Sequence, residues 1–378
     1  MNRSTREVVI IDLRGVIARD ESTVIRHNNY GECLNQISDG DVSLTVISRG
    51  NSIETRKLLD SLNSKCKFIV EESTRFNLLR FIVLSVKYVR KNSSRVQLLV
   101  SGDPWETYWC CRLISIFSRK NLKIQVQLHA DIFDPHWIRN SAKNWIRFHL
   151  FFLNSKSISS IRLVSSSQRR GLISRFPDLG NRIVVAPVPL SIAPNFLSRQ
   201  PNFSGESDIG FVGRIHKDRG LGLFLKVIER LNQDGWQGRV LVIGGGPEKD
   251  EFRKRLEEIV GAPRVSFVGS KSGEELRDYW NKIDVFLNTA PSESYGRSTR
   301  EALYYGKAVM CLETGGISNL TAERITGQLV IIDPTKPENW IGQLHKVVEI
   351  KTQSNYSARV WEQNEQDMLK VVNSWQLN

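Results

Sequence analysis

Apolar residues recur along this chain in two rhythms. Short continuous runs read as buried strands, and runs with a period near 3.6 read as amphipathic helices. In the first half, residues 7–12, 43–48, 96–101, 123–128 and 161–165 are such strands; in the second, residues 208–212, 239–243, 265–268, 285–288, 308–311 and 329–332. Helical periods lie between them, at 76–89, 221–231 and 248–260 among others. Strand alternating with helix is the pattern of parallel sheets covered by helices, so the chain is expected to fold as α/β with two Rossmann-like doubly wound domains. A length of 378 residues agrees, because single cores stop growing at roughly 250–300.

A stretch from Pro187 to Ser207 concentrates proline and small polar residues, as linkers do. It places an N-terminal domain at residues 1–195 and a C-terminal one at 196–355. Residues 356–378 have a helical apolar period with Trp361 and Trp375, which could cover either domain. The net charge of +13 is unevenly spread: residues 1–200 carry 30 Lys and Arg against 16 Asp and Glu, the remainder 23 against 24. The first half therefore meets something anionic, for which a membrane, a nucleic acid and a phosphorylated substrate all qualify. No zinc spacing or aromatic RNA-binding motif accompanies the charge, so a nucleic-acid partner is not expected. Arg75, Arg80, Lys87, Arg90, Lys91 and Arg95 surround the apolar segment 76–89. That is a helix resting on an anionic membrane surface or a solvated basic face, and both readings stay open.

Five cysteines without C-x2-C spacing suit a reducing, cytoplasmic setting, and Asp12 and Arg14 interrupt the first apolar stretch before a signal-peptide core forms. A peripheral place on the inner face of the plasma membrane is the corresponding expectation. Asp39-Gly40-Asp41 has the spacing of a divalent-metal motif but sits between a helix and a strand, where Asp-Gly pairs make turns; no metal is expected.

Ligands of open parallel sheets bind beyond the carboxyl ends of strands. The turn from Gly213 to Gly220 holds Arg214, Lys217 and Arg219 ahead of a helix, an arrangement suited to an anion and equally to a solvated basic loop. From Pro291 to Gly306, Glu293 and Glu301 stand seven residues apart. Ser298-x-x-Glu301 has the form of a capping box, which starts the helix at Ser298 and lets both acids face one cleft. Carboxylates of this kind hold sugar hydroxyls, or Glu301 only caps and Glu293 is a surface residue. Gly244-Gly-Gly-Pro247 is a tight strand-to-helix turn; neither G-x-G-x-x-G nor a P-loop occurs. His129, directly after strand 123–128, could donate to a substrate or be satisfied by backbone.

In these residues the sequence resembles the retaining GT-B glycosyltransferases of glycosyltransferase family 4. The resemblance runs through Gly213-Arg214, Gly244 to Pro247, Val265 to Gly269, the Glu293 to Glu301 element and Gly315-Gly316. In the first half, Asp103 to Thr107, Val126 to Asp131 and Val164 to Gln168 look like family segments. It implies transfer of a hexose from a nucleotide diphosphate sugar to a glycan or lipid-linked hydroxyl acceptor, with no obligatory cofactor. A catalytically silent nucleotide-sugar binder of the same fold is the alternative. By the resemblance, Arg214 and Arg219 hold the donor diphosphate, Glu301 the ribose, and Glu293 the transferred sugar. Gly213, Gly245 and the backbone of Ser294, Tyr295, Gly296 and Arg297 complete the donor site, Gly269 to Lys271 line the base pocket, and His129 approaches the reacting sugar. The terminal helix crosses back to the first domain. Gly15 and Asp131 fall on the acceptor side. The family usually has lysine at Arg219 and a glycine-rich loop where this chain has only Gly15.

Overall fold

The computed structural model of the chain describes residues 6–18, 21–50, 57, 59–60, 66–72, 77–190, 192, 208–271, 273–322, 329–349 and 356–375. Two compact units form, one from Met1–Pro189 with Gln366–Asn378, the other from Leu190–Glu365. Most of the 187–207 stretch, and Arg75 and Phe76, lie outside the described residues.

The first unit is a seven-stranded parallel sheet built from β1 (Arg6–Asp12), β2 (Val42–Gly50), β3 (Lys67–Glu72), β4 (Val96–Ser101), β5 (Lys123–Leu128), β6 (Ser160–Leu163) and β7 (Ile183–Val185). The strand order is β3-β2-β1-β4-β5-β6-β7. β3 and β7 are additions to the expected set, and both are edge strands. Edges pair on one side only, so a charge-rich sequence such as Lys67–Glu72 or one of three residues suffices. Val9, Ile11, Leu99 and Val126 pack on helices of one face; Val8, Ile10, Leu44 and Leu98 pack on the other. That second face also takes Val371, Val372 and Trp375, which follow or end the helix Tyr356–Asn373. Asp39 and Gly40 adopt φ of 49° and 81°, and Asp41 N donates to Ser38 O at 2.9 Å, so Asp39-Gly40-Asp41 is a turn.

The second unit is a six-stranded parallel sheet from β8 (Ile209–Val212), β9 (Val240–Ile243), β10 (Val265–Phe267), β11 (Val285–Asn288), β12 (Ala308–Cys311) and β13 (Leu329–Ile331), ordered β10-β9-β8-β11-β12-β13. Each strand lies within the predicted segment, because an all-apolar run buried on both faces leaves little latitude in register. The helix after β8, Leu221–Gln233, buries Phe224, Val227, Ile228 and Leu231 on one stripe, as its period predicts. Both sheets reverse their winding once, between β1 and β4 and between β8 and β11. These are the places where a doubly wound sheet opens a crevice.

Candidate functional site

β8 pairs with β11 only through Val285↔Ile209 and Phe286↔Gly210. Beyond that point Val212 stays on Ile243 of β9, and Asn288 stays on Cys311 of β12. The sheet therefore splits at its carboxyl edge. A hollow opens there, lined by Val212, Arg219, Asn288, Glu293 and Ser298 over a floor that includes Phe211 and Phe286.

Arg219 reaches this hollow from the turn after β8. Lys217–Arg219 is one turn of 3-10 helix, capped by His216, and Gly220 then reverses the chain into the long helix. Gly220 has φ of 68°, and a β-carbon on it would stand 1.9 Å from the Thr289 carbonyl oxygen. Thr289 Oγ1 donates to Gly220 O at 3.0 Å, clamping the β8 turn to the β11 turn. Across that clamp Arg219 Nη1 lies 3.4 Å from Glu293 Oε1. The other Glu293 oxygen accepts from Asn288 Nδ2 at 2.8 Å, and the same amide reaches Thr299 Oγ1 at 3.1 Å. One Arg219 donor, Nε, is buried and has no hydrogen-bond partner among the described residues. The Glu293 charge also adds to the burial that pushes the Cys311 thiol far above its usual range.

The other predicted donor residues lie on the turns that follow β8, β9, β10 and β11. Gly244 lets the turn after β9 close on the turn after β8: a β-carbon there would fall 1.8 Å from Gly213 O, and Ile215 N donates to Gly245 O at 2.9 Å. Gly244 N donates to Gly269 O at 2.9 Å, so the turns after β8, β9 and β10 are stitched in series. Lys271 Nζ pairs with Glu275 at 3.4 Å and lies over the Tyr279 ring at 5.5 Å. Arg214 stands outside the lining, 66% exposed, with Nη2 3.1 Å from Asp218 Oδ2.

On the β11 side the helix starts one residue before the expected point. It runs Arg297–Tyr304, Gly296 takes the cap position at φ 75°, and no side chain caps it, so the capping box is not formed. The reason is packing: a β-carbon on Gly316 would fall 2.7 Å from the Tyr295 carbonyl carbon and 2.8 Å from Gly296 N, and this approach fixes the entry of the chain. Similarly, Glu248 precedes the helix Lys249–Val260 as its cap rather than beginning it. Glu301 is 8% exposed, with Oε1 3.5 Å from Arg297 Nη2, and it does not line the hollow. The buried Nε of Arg297 has no hydrogen-bond partner among the described residues. Arg300 is buried with its guanidinium 4.0 Å from the Tyr295 ring centre, holding the loop that contains Ser294 and Tyr295.

Asn288, Thr289, Thr299 and Arg300 were not singled out by sequence. Asn288 had a signal, since it is the polar end of an otherwise apolar strand at the edge where ligands bind.

In the first unit, His129 is exposed at the end of β5 with Nε2 3.1 Å from Gln127 Oε1. Asp131 is buried and accepts from Phe133 N at 3.2 Å; burial raises its carboxyl above the ordinary range. Gly15, at φ 68°, turns the chain after β1, where Asp12 accepts from Val16 N and Ile17 N. Beside that turn Arg14 Nε lies 3.5 Å from Asp103 Oδ2.

Residues 195–367 match the family model described as glycosyl transferases group 1. Over 152 residues the chain is 26% identical to the phosphatidylinositol N-acetylglucosaminyltransferase gpi3 subunit of Schizosaccharomyces pombe, covering 38% of this chain and 33% of that protein. The matched stretch thus spans about a third of that relative's length. Among solved structures, the lipopolysaccharide outer core galactosyltransferase WaaB in its apo form superposes with a TM-score of 0.69 at 15% identity, covering 98% of this chain and 99% of that one. Anabaena Alr3699/HepE in complex with UDP-glucose superposes at 0.67 with 16% identity, covering 97% and 99%. The fold is that of these GT-B glycosyltransferases, two parallel-sheet Rossmann-like units.

Proposed function

We propose that this chain is a retaining glycosyltransferase that moves a hexose from a nucleoside diphosphate sugar to a hydroxyl of a glycan or lipid-linked glycan, working in the cytoplasm. The observation that carries the reading is the Arg219–Glu293 pair at the split between β8 and β11, with a buried guanidinium donor left over. A cation with an unused donor beside a carboxylate is what a sugar diphosphate needs at its scissile end. The match of residues 195–367 to a glycosyl transferase family model supports the same assignment.

In this reading Arg219 binds the diphosphate directly, and Arg214 reaches it by leaving Asp218. Positive charge at the leaving group stabilises the negative charge that builds there as the glycosidic bond breaks. The first N–H groups of the helix Arg297–Tyr304 have no intrahelical acceptor and add to that field. Glu293, oriented by Asn288, holds hydroxyls of the transferred sugar, and Glu301 holds the ribose. The turn from Gly269 to Lys271 receives the base. His129, from the first unit, assists at the reacting sugar, with Asp131 and Gly15 on the acceptor side. The protein's own residues supply all these contacts, and no metal enters them.

Arg219→Ala and Glu301→Ala should each lower sugar transfer at least about a hundredfold, a loss of roughly 2.7 kcal/mol in transition-state binding. Donor consumption against a panel of acceptors measures this, with circular dichroism to verify the fold. Near-normal turnover in both folded variants would remove the proposal.

A further inference from the structure

The helices Leu78–Lys91, Glu106–Phe117 and Ala142–Asn154 of the first unit are neighbours joined by specific bonds. Arg90 Nε donates to Phe117 O at 2.9 Å, Trp105 Nε1 donates to Arg147 O at 2.6 Å, and Arg147 pairs with Glu106 at 3.1 Å. Glu106–Phe117 buries Tyr108, Cys111, Ile114 and Ser115 against the sheet. Its opposite side is apolar as well: Trp109, Leu113 and Ile116 recur at helical spacing, and Trp109 and Ile116 are 53% and 60% exposed. Trp145 and Leu153, two turns apart on Ala142–Asn154, are 56% and 74% exposed, and Leu79 projects from Leu78–Lys91. Exposed apolar side chains gathered on one surface, here with Arg112 and Glu106 among them, mark a place where a protein meets a partner or a membrane.

Charge identifies the second face. The three helices together carry seven Lys and Arg against one acid, Glu106. Burial pushes the Glu106 carboxyl up, but its own backbone N–H and the Arg14 and Arg147 guanidiniums outweigh that and bring it to about 2, so it stays an occupied anion. Two copies of this chain meeting here would set like charges against each other. Exposed tryptophan between basic residues suits the boundary between lipid headgroups and acyl chains. None of the described helices is long and apolar enough to cross a membrane, so the surface would rest on one.

We infer that the outer face of these three helices docks the protein on an anionic lipid bilayer, with Trp109, Ile116, Trp145 and Leu153 entering the headgroup boundary and the basic side chains meeting lipid phosphates. This goes beyond the proposed transfer reaction and holds whichever sugar is moved. It assigns the apolar contact to Glu106–Phe117 and Ala142–Asn154, leaving Leu78–Lys91 to contribute mainly charge.

The test uses the full chain without donor or acceptor, cosedimented with phosphatidylcholine vesicles that contain or lack phosphatidylglycerol. Binding is expected with phosphatidylglycerol, falling with salt. The doubly substituted Trp109→Glu, Leu153→Glu protein should bind on the order of tenfold less or weaker still, at an unchanged unfolding temperature. Arg112→Gln with Lys143→Gln should lower the phosphatidylglycerol dependence while sparing the fold, which separates charge from apolar insertion. Three outcomes would overturn the inference: no binding to either vesicle, binding unaltered in both variants, or a dimer in solution that the glutamates dissociate.

Discussion

Gly220 is the point on which the geometry of the hollow between the β8 and β11 turns depends. Its backbone sits at φ 68°, and any side chain would collide with the Thr289 carbonyl at 1.9 Å, an atom of the β11 turn that cannot retreat without moving Glu293. Gly220→Ala should destabilise the second unit by about 1–3 kcal/mol and separate Arg219 from Glu293. Urea denaturation followed on that unit checks this, and an unchanged midpoint would contradict it. Arg219 and Glu293 were both legible in sequence because charged residues stood in turns after apolar strands. Asn288, which orients Glu293, was not, since a single polar residue ending a strand has many ordinary explanations. The start of the helix at Arg297 is hidden from local sequence for a related reason: Ser298 and Glu301 have the spacing of a capping box, but Gly316, distant in sequence, decides where the backbone enters.

Among the elements, the terminal segment shows how a polar strand residue can be structural. Gln125, in the middle of β5, looks solvent-facing by alternation, yet it is fully buried. Its Nε2 donates to Ser374 O at 3.0 Å, and its Oε1 accepts from Trp375 Nε1 at 3.0 Å. Trp375 also meets the Tyr30 ring edge-on at 5.4 Å. No local pattern could reveal a partner some 250 residues away, whereas the strands themselves were readable because their apolar runs are local. Trp375→Ala removes a large buried ring and strands the Gln125 amide, and should cost about 3–5 kcal/mol in the first unit. Thermal unfolding with that unit resolved tests the value; a shift within error of wild type would refute this account of the segment.

For the molecule as a whole, the uneven charge predicted an anionic partner for the first half, and the structure adds where apolar surface accompanies it. Acid stability is also a property of the whole fold. His27 is buried in the helix Glu21–Ile37 with Nδ1 2.7 Å from Thr23 O; burial first, then the charges of Arg26 and Arg162, lowers it to about 3. Because the folded value lies below the unfolded 6.5, the unfolded chain binds the extra proton. The neutral ring's contribution is complete above pH 6.5 and is lost as pH falls from there toward 3, on the order of 2 kcal/mol by about pH 5. His27→Gln keeps a donor for Thr23 O and should flatten the stability profile across that window; an equally steep profile would exclude His27 as its source.

In the proposed reaction the turns after β8 and β11 of the second unit hold a nucleoside diphosphate, with Arg219 on its phosphates. Calorimetric titration of the full chain with UDP, GDP and ADP, repeated on Arg219→Ala, tests this most directly. One of the three should bind at one site per chain, and Arg219→Ala should weaken it by about tenfold or more, as loss of a charge-assisted contact does. Absence of binding by all three, or an affinity indifferent to Arg219, would contradict the account.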